Sequence, residues 1–172
     1  ETSGSALTGT FSTPVDLPAS ASQAFFLYIT ARSNADTIRV ELLNERGGVM
    51  TSQDTTITAL AARDSLHVVI SDSPDTAPDL SQVGVGGYNA FQVNWRTENI
   101  PDRAPALDSV NMIVFANTNS ASLSSTQQRA LRTWVQAGGH LIVVGGANWQ
   151  PTAAGLGDLL PLLPESAQVI SE

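Results

Sequence analysis

Residues 109–149 constrain the fold most, because they read as one strand–helix–strand unit. Residues 110–116 form a short apolar run with several β-branched side chains, which predicts a strand. Ser124 then fits a helix N-cap, and Gln127 stands three residues later, where its side chain can complete a capping box. The apolar residues that follow recur at helical spacing, so they predict an amphipathic helix.

The sequence also marks where this helix ends and where the second strand lies. Gly138-Gly139 ends the helical pattern, as expected where the chain needs a left-handed backbone that a Cβ disfavours. Residues 141–144 are again apolar and β-branched, and Gly145-Gly146 ends that run. Because both strands are apolar on both faces, we expect them to be buried in a parallel sheet, with the helix as the crossover between them.

The residues on either side extend this pattern to a whole domain. The predicted elements are strands at 66–70 and 90–95, short helical segments at 78–85, 104–107 and 152–160, and the start of a last strand at 167–170. This alternation predicts an α/β fold with a doubly wound, mostly parallel sheet of flavodoxin-like type, in the strand order 2-1-3-4.

The first third of the chain has a different pattern, in which apolar and polar residues alternate with a period of two. The predicted strands are at 10–17, 25–32, 37–43 and 49–57. Such alternation predicts antiparallel strands with one covered face. We therefore expect two domains, an antiparallel β segment over 1–58 and an α/β domain over 59–172. The β segment is either the tail of a β-sandwich or a layer packed on the α/β part.

Composition excludes several classes of function. The net charge of −8 argues against nucleic acid and anionic lipid as partners, because binding to either needs clustered Lys and Arg. The absence of cysteine excludes a thiol nucleophile, a disulfide and a thiolate metal site. No apolar run approaches the roughly 20 residues of a membrane span. Without an initiator Met or a signal peptide, we expect a piece of a larger protein, and the many Ser, Thr, Asn and Gln residues suit an extracytoplasmic bacterial one.

Residues 123–146 resemble bacterial proteins of the class I glutamine amidotransferase-like superfamily. They match the pattern L-S-x-x-Q-x-x-A-L-x-x-W-V-x-x-G-G-x-L-I-V-x-G-G. Similar strings occur in trehalose-utilisation-like domains, in the trimerisation domain of some β-galactosidases and in large membrane-anchored bacterial proteins. The resemblance covers about residues 60–165 and implies a flavodoxin-like fold. Active members carry a Cys on the turn that corresponds to 144–148, so the resemblance implies a member without the catalytic Cys.

The predicted fold indicates where a ligand would bind. Doubly wound sheets bind ligands at the carboxyl ends of their strands, where the strand order reverses. The candidate residues at that crevice are Ser71, Asp72, Ser73, Asn117, Thr118, Asn119, Gly145, Gly146 and Asn148. They are neutral or acidic and rich in oxygen, so they suit a polyol, a cation or a peptide edge better than a phosphate. No catalytic residue, resident metal or cofactor is predicted.

Other residues with possible chemistry have simpler interpretations. His67 and His140 start strands at the opposite end of the sheet, which favours structural roles. Residues 72–76 loosely resemble the metal-binding loop of von Willebrand A-type domains, but position 74 is a proline, so a solvated acidic turn is favoured. Trp95 and Trp149 offer a possible sugar-stacking platform. The nucleophile motif Gly-x-Ser-x-Gly does not occur.

These observations lead to three hypotheses about function. The first is a non-catalytic amidotransferase-like domain with an interaction or scaffolding role in a bacterial cell-envelope protein. The second is a carbohydrate-binding or carbohydrate-processing accessory module. The third is a hydrolase whose missing catalytic residues lie outside this fragment. A protein or glycan partner is expected, with a membrane-anchored parent protein and a soluble fragment; no oligomeric state is predicted.

Overall fold

The computed structural model describes residues 9–18, 22–23, 25–29, 37–73, 75, 77–84, 86–162 and 166. Two compact units divide the chain, Glu1–Ala59 and Leu60–Glu172. The second contains a sheet of four parallel strands, and the first contains a separate antiparallel sheet of two. The predicted α/β class with an N-terminal antiparallel β segment is therefore confirmed. The division into independent domains, 1–58 and 59–172, stays a prediction.

The antiparallel sheet of the first unit is a hairpin. Strands β1 (Thr37–Leu43) and β2 (Val49–Thr56) pair along their whole length. The turn between them closes on Asn44, whose Oδ1 accepts hydrogen bonds from two backbone amides, both at 2.9 Å. Across the strands, the Arg39 guanidinium donates two bonds to the Asp54 carboxylate, at 2.7 and 3.0 Å. This contact holds the pKa of Asp54 below its usual value.

Two predicted strands of the first unit are wrong in the part that the structure describes. Residues 10–17 and 25–29 contain no strand, and residues 30–36 lie outside the described ones. Alternation selects a face, but a strand also needs a neighbour for its backbone hydrogen bonds. At 25–29 the alternating side chains meet each other instead, since the Phe26 and Tyr28 rings stack with centroids 6.4 Å apart.

Four of the five predicted strands of the second unit are present among the described residues. They are β3 (Ser65–Ile70), β4 (Ala90–Trp95), β5 (Met112–Phe115) and β6 (His140–Val143). The order across the sheet is β4-β3-β5-β6, and every pair is parallel. Among the described residues, β3 and β5 are thus interior, while β4 and β6 form the edges.

Helix α1 (Ser125–Gln136) begins as the sequence predicts. The Ser124 Oγ accepts the Gln127 backbone N–H at 3.2 Å, and the Ser124 N–H donates to Gln127 Oε1 at 2.9 Å. Gln127 does more than cap the helix. Its Nε2 donates to the carbonyls of Thr97 and Ile100, at 2.9 and 2.8 Å. The helix start is therefore tied to the connection between β4 and β5.

The two glycines after α1 have different roles. Gly138 has a φ of 106°, a left-handed value that ends the helix as predicted. Gly139 is required by packing, because a Cβ there would overlap the Trp134 ring. That ring is buried, and its Nε1 donates to the Val110 carbonyl at 3.2 Å. The glycine pair thus both ends the helix and lets its tryptophan reach the sheet.

The main core lies between α1 and one face of the sheet. Its fully buried members from strands and helix are Val68, Ile70, Ile113, Phe115 and Leu131. Val69 and Val114 alternate with these strand residues, so they lie on the opposite face, and they are 0% and 2% exposed. Both faces of β3 and β5 are therefore covered, which confirms the predicted burial of residues 110–116. The predicted burial of residues 141–144 is wrong, because β6 lies at the edge of the sheet and Ile142 is 42% exposed.

The predicted helix at 78–85 is wrong over its described residues, which form only a turn. Gln92 of β4 explains this, because its side chain accepts the Leu80 N–H and donates to the Pro78 carbonyl. A tertiary contact thus occupies backbone groups near the start of the predicted helix. The helical turn Ala104–Leu107 is confirmed as a 3₁₀ helix.

The last predicted elements are confirmed only in part. In place of one helix at 152–160, the chain forms α2 (Trp149–Ala153) and a 3₁₀ turn, Gly157–Leu159. Gly155, which lies between them, fits this interruption. The predicted strand at 167–170 lies outside the described residues.

A charge-matched pair of variants tests the role of Gln127. Gln127→Glu keeps the capping box but loses both donors to Thr97 and Ile100, so we expect it to destabilise the protein by about 2 kcal/mol. Gln128→Glu adds the same charge one residue later and serves as the control. Urea unfolding of both variants measures the difference. Equal midpoints would contradict the proposed tie between α1 and the β4–β5 connection.

Candidate functional site

The candidate residues lie in three neighbouring loops at the carboxyl end of the parallel strands. Residues 71–73 follow β3, residues 117–119 follow β5, and residues 145–148 follow β6. Because these strands are adjacent and parallel, their carboxyl ends lie at the same end of the sheet.

One hydrogen bond joins the two sides of the predicted crevice. The Asn119 backbone N–H donates to Asp72 Oδ2 at 3.3 Å. The Asn119 side chain turns back to its own loop and accepts the Ala121 N–H at 3.1 Å. Asp72 and Asn119 are both exposed, so the rim of the crevice presents a carboxylate and an amide to solvent.

The two serines of the first loop bond to each other. The Ser71 Oγ accepts the Ser73 N–H and lies within hydrogen-bond distance of the Ser73 carbonyl, both at 3.1 Å. Ser71 is only 2% exposed, and its own N–H donates to the Trp95 carbonyl. Its hydroxyl therefore shapes the turn and does not face a ligand.

Thr118 is buried beneath the second loop. Its backbone N–H donates to Thr152 Oγ1 at 3.4 Å, and that hydroxyl donates to the Asn148 carbonyl at 2.8 Å. Helix α2 thus links the loop after β5 to the loop after β6. The Thr118 hydroxyl is buried and has no hydrogen-bond partner in the described part of the chain. Asn117, just before it, adopts a left-handed φ of 49° and is exposed.

The third loop is an exposed turn without a nucleophilic side chain. Gly146 has a φ of 135°, which a residue with a side chain rarely adopts, and its carbonyl accepts the Trp149 N–H at 3.2 Å. Gly145, Gly146 and Asn148 are all exposed. This loop offers backbone and amide groups to a partner, and no group suited to attack a carbonyl.

The two histidines lie away from these loops, at the start of their strands as predicted. His67 is buried, with Nδ1 3.4 Å from the Leu80 carbonyl, whereas His140 is exposed, with Nδ1 3.3 Å from the Asn111 carbonyl. Both pair with Met112 of the strand between them, which puts them about 10 Å apart at ordinary strand spacing.

No metal-binding group of three or more His, Asp or Glu side chains exists among the described residues. Within the predicted acidic turn at 72–76, the Asp72 carboxylate accepts the backbone N–H of Asn119. Pro74 and Thr76 lie outside the described residues.

Of the two tryptophans predicted to stack on a sugar, only Trp149 lies beside the crevice. Trp95 packs against the main core, on the face that α1 covers. Trp149 is half-buried at the first position of α2, beside the third loop. A sugar ring therefore has one indole near the crevice.

A shallow depression elsewhere on the second unit was missed by the sequence analysis. It encloses about 220 Å³ between α1 and the segment after α2. Arg132 and Asp158 line it and form an ion pair at 2.8 Å, so their charges offset each other. No local sequence pattern predicts this ion pair, because Arg132 and Asp158 are far apart in the sequence and meet only through the packing of the segment after α2.

Two isosteric variants test whether the buried loop residues are structural. Thr118→Val removes a buried hydroxyl that has no partner, so we expect stability to stay equal or to rise by about 1 kcal/mol. Thr152→Val removes a hydroxyl that links two loops, so we expect a loss of about 1–2 kcal/mol. Thermal unfolding compares the two. A clear loss in Thr118→Val would show that its hydroxyl has a bonding role.

Comparison with known proteins gives no family assignment. A scan of protein-family models, a search of curated proteins and a search of solved structures each found no match. The role of the site therefore has to be inferred from the residues and contacts described above.

Proposed function

We propose that this chain is a non-catalytic amidotransferase-like domain with an interaction or scaffolding role in a larger bacterial cell-envelope protein. The observation that carries the proposal is the turn after β6. In the superfamily that the chain resembles, this turn holds the nucleophilic Cys, and here it reads Gly145-Gly146-Ala147-Asn148. A turn of this composition can bind a partner through backbone and amide groups, but it cannot form a covalent intermediate.

The contacts around the crevice support a binding role over a catalytic one. Activated nucleophiles need a base within hydrogen-bond reach. Here the Ser71 hydroxyl lies against Ser73 of its own loop, and the Asp72 carboxylate accepts a backbone amide. Both histidines lie in the first half of their strands, toward the far end of the sheet: His140 is the first residue of β6 and His67 is the third of β3. The exposed rim of carboxylate and amide groups suits a peptide edge or another polar partner.

We further propose that the sheet is doubly wound and flavodoxin-like, with the order 2-1-3-4. The order β4-β3-β5-β6 supports this, as do the connections on opposite faces of the sheet. The β3–β4 connection contacts Gln92 and His67 on one face, while α1 packs against Phe115 on the other. The chain moves from β3 to β4 in one direction and then returns past β3 to β5 and β6. If every crossover between parallel strands is right-handed, these two directions place the connections on opposite faces of the sheet.

The cell-envelope location is proposed from composition. The acidic net charge and the abundance of small polar residues suit an extracytoplasmic domain. Among the described residues, no helix is long and apolar enough to cross a membrane.

A carbohydrate-binding role is the second candidate. Half-buried Trp149 beside an oxygen-rich rim is the observation that favours it, because sugars stack on indole rings. The burial of Trp95 against the core leaves it with less support than an interaction role.

Turnover assays test the non-catalytic role. We expect the purified protein to hydrolyse glutamine and p-nitrophenyl acetate no faster than buffer, because the crevice lacks an activated nucleophile. Asp72→Asn removes the carboxylate of the crevice and is the matched variant, with the same background rate expected. Turnover above background that falls in Asp72→Asn would contradict the proposal.

A further inference from the structure

Strand β6 is an edge strand whose outer side pairs with no other strand in the described part of the chain. We propose that two copies of this chain associate through β6, pairing its outer edge with the same edge of the second copy. The pairing would join the four parallel strands of each copy into one continuous sheet. This inference depends on the sheet alone and does not depend on the proposed function.

The first support is the exposed apolar surface of β6. Val69, Val114 and Ile142 stand side by side in register, on the face opposite α1. The first two are 0% and 2% exposed, but Ile142 is 42% exposed, and Val144 on the same face is 38% exposed. On this face of the sheet, β3 and β5 are therefore covered and β6 is not. A strand added beside β6 would shelter these two side chains.

The second support is the contrast with the other edge. Natural sheets protect free edges with charged or polar residues, prolines, bulges or a covering segment. On β4, Gln92 bonds to the overlying residues Pro78 and Leu80, and exposed Asn94 bonds to Gln92. On β6, the residues after exposed His140 are all apolar, as is Val144 just beyond the strand, and the sheet pairing there has no bulge. The β4 edge is therefore covered by a bonded segment, whereas β6 is protected only by its short length of four residues and by exposed His140.

The third support is charge, and it favours a second copy as the occupant. The chain has a net charge of −8, so two copies repel each other over most approaches. The stretch from Arg132 to Asp158 contains no charged residue between its ends, and β6 lies within it. The two β6 strands therefore place no charged side chain of their own at the contact.

The geometry is also self-complementary. A two-fold axis normal to the sheet makes the two β6 strands antiparallel, and opposite side chains then point to the same face. With the axis at Val143, Ile142 lies opposite Val144 of the partner subunit. The exposed apolar residues of each copy thus cover those of the other.

A pair of lysine variants tests the interface. Ile142→Lys places a charge beside the proposed axis, at a position exposed enough to accept it. Asn94→Lys makes the same change in charge on the protected edge. We expect sedimentation equilibrium to detect a dimer of the original chain and of Asn94→Lys, with the dissociation constant raised about tenfold or more in Ile142→Lys. Equal dissociation constants for the two variants would overturn the proposal.

A disulfide test locates the contact, and it is clean because the chain has no cysteine. Mixed Ile142→Cys and Val144→Cys proteins should form a covalent heterodimer under mild oxidation, since opposite residues in a strand pair lie within disulfide range. Asn94→Cys mixed with Val144→Cys is the control and should not. A chain that is monomeric at all concentrations overturns the proposal. If Ile142→Lys then also unfolds more easily than Asn94→Lys, a segment of the same chain covers the edge.

Failure of this test and failure of the proposed function are distinguishable. A monomer without turnover would remove the β6 interface and leave the non-catalytic role intact. A dimer with turnover would do the reverse.

Discussion

Strand β3 forms hydrogen bonds on both of its sides, with β4 and with β5, and the rest of the second unit depends on this double pairing. Its residues Val68, Val69 and Ile70 are completely buried. Because the first strand of the sheet is interior, the chain must leave it in one direction and later return past it. The loops after β3 and β5 are then neighbours at the point of reversal, which brings Asp72 to the backbone of Asn119.

The same arrangement fixes the loops around the crevice. Helix α2 packs over the loop after β5, and Thr152 bonds to both Thr118 and Asn148. The loops are thereby held by each other, and their buried hydroxyls face the protein interior. What remains open is a rim of exposed amide and carboxylate groups, together with the apolar edge of β6. Both features suit association more than reaction.

Much of the second unit is predictable because its signals are local. Ser124 with Gln127 marks the helix start, and Gly138 marks its end through a backbone angle that only the local chain determines. The strands are predictable because interior parallel strands are apolar on both faces. The proximity of Asp72 to Asn119 also follows once the strand order is assumed.

The failures have a common physical cause, which is contact between distant parts of the chain. Residues 78–85 have helical potential, but Gln92 binds the backbone at Pro78 and Leu80. The missing strand at 25–29 is an exception, because the stacked rings of Phe26 and Tyr28 are only two residues apart. The burial of Thr118 depends on the packing of α2, which no local pattern describes.

Backbone amide hydrogen exchange tests most directly whether the sheet around β3 is the stable core of the chain. In dilute solution, the amides of β3 and β5 should exchange slowest, because both strands are paired on both sides and buried. The β1–β2 hairpin has two strands and mostly exposed residues, so its amides should exchange far faster. Protection of the hairpin equal to that of β3, or fast exchange in β3, would contradict the account.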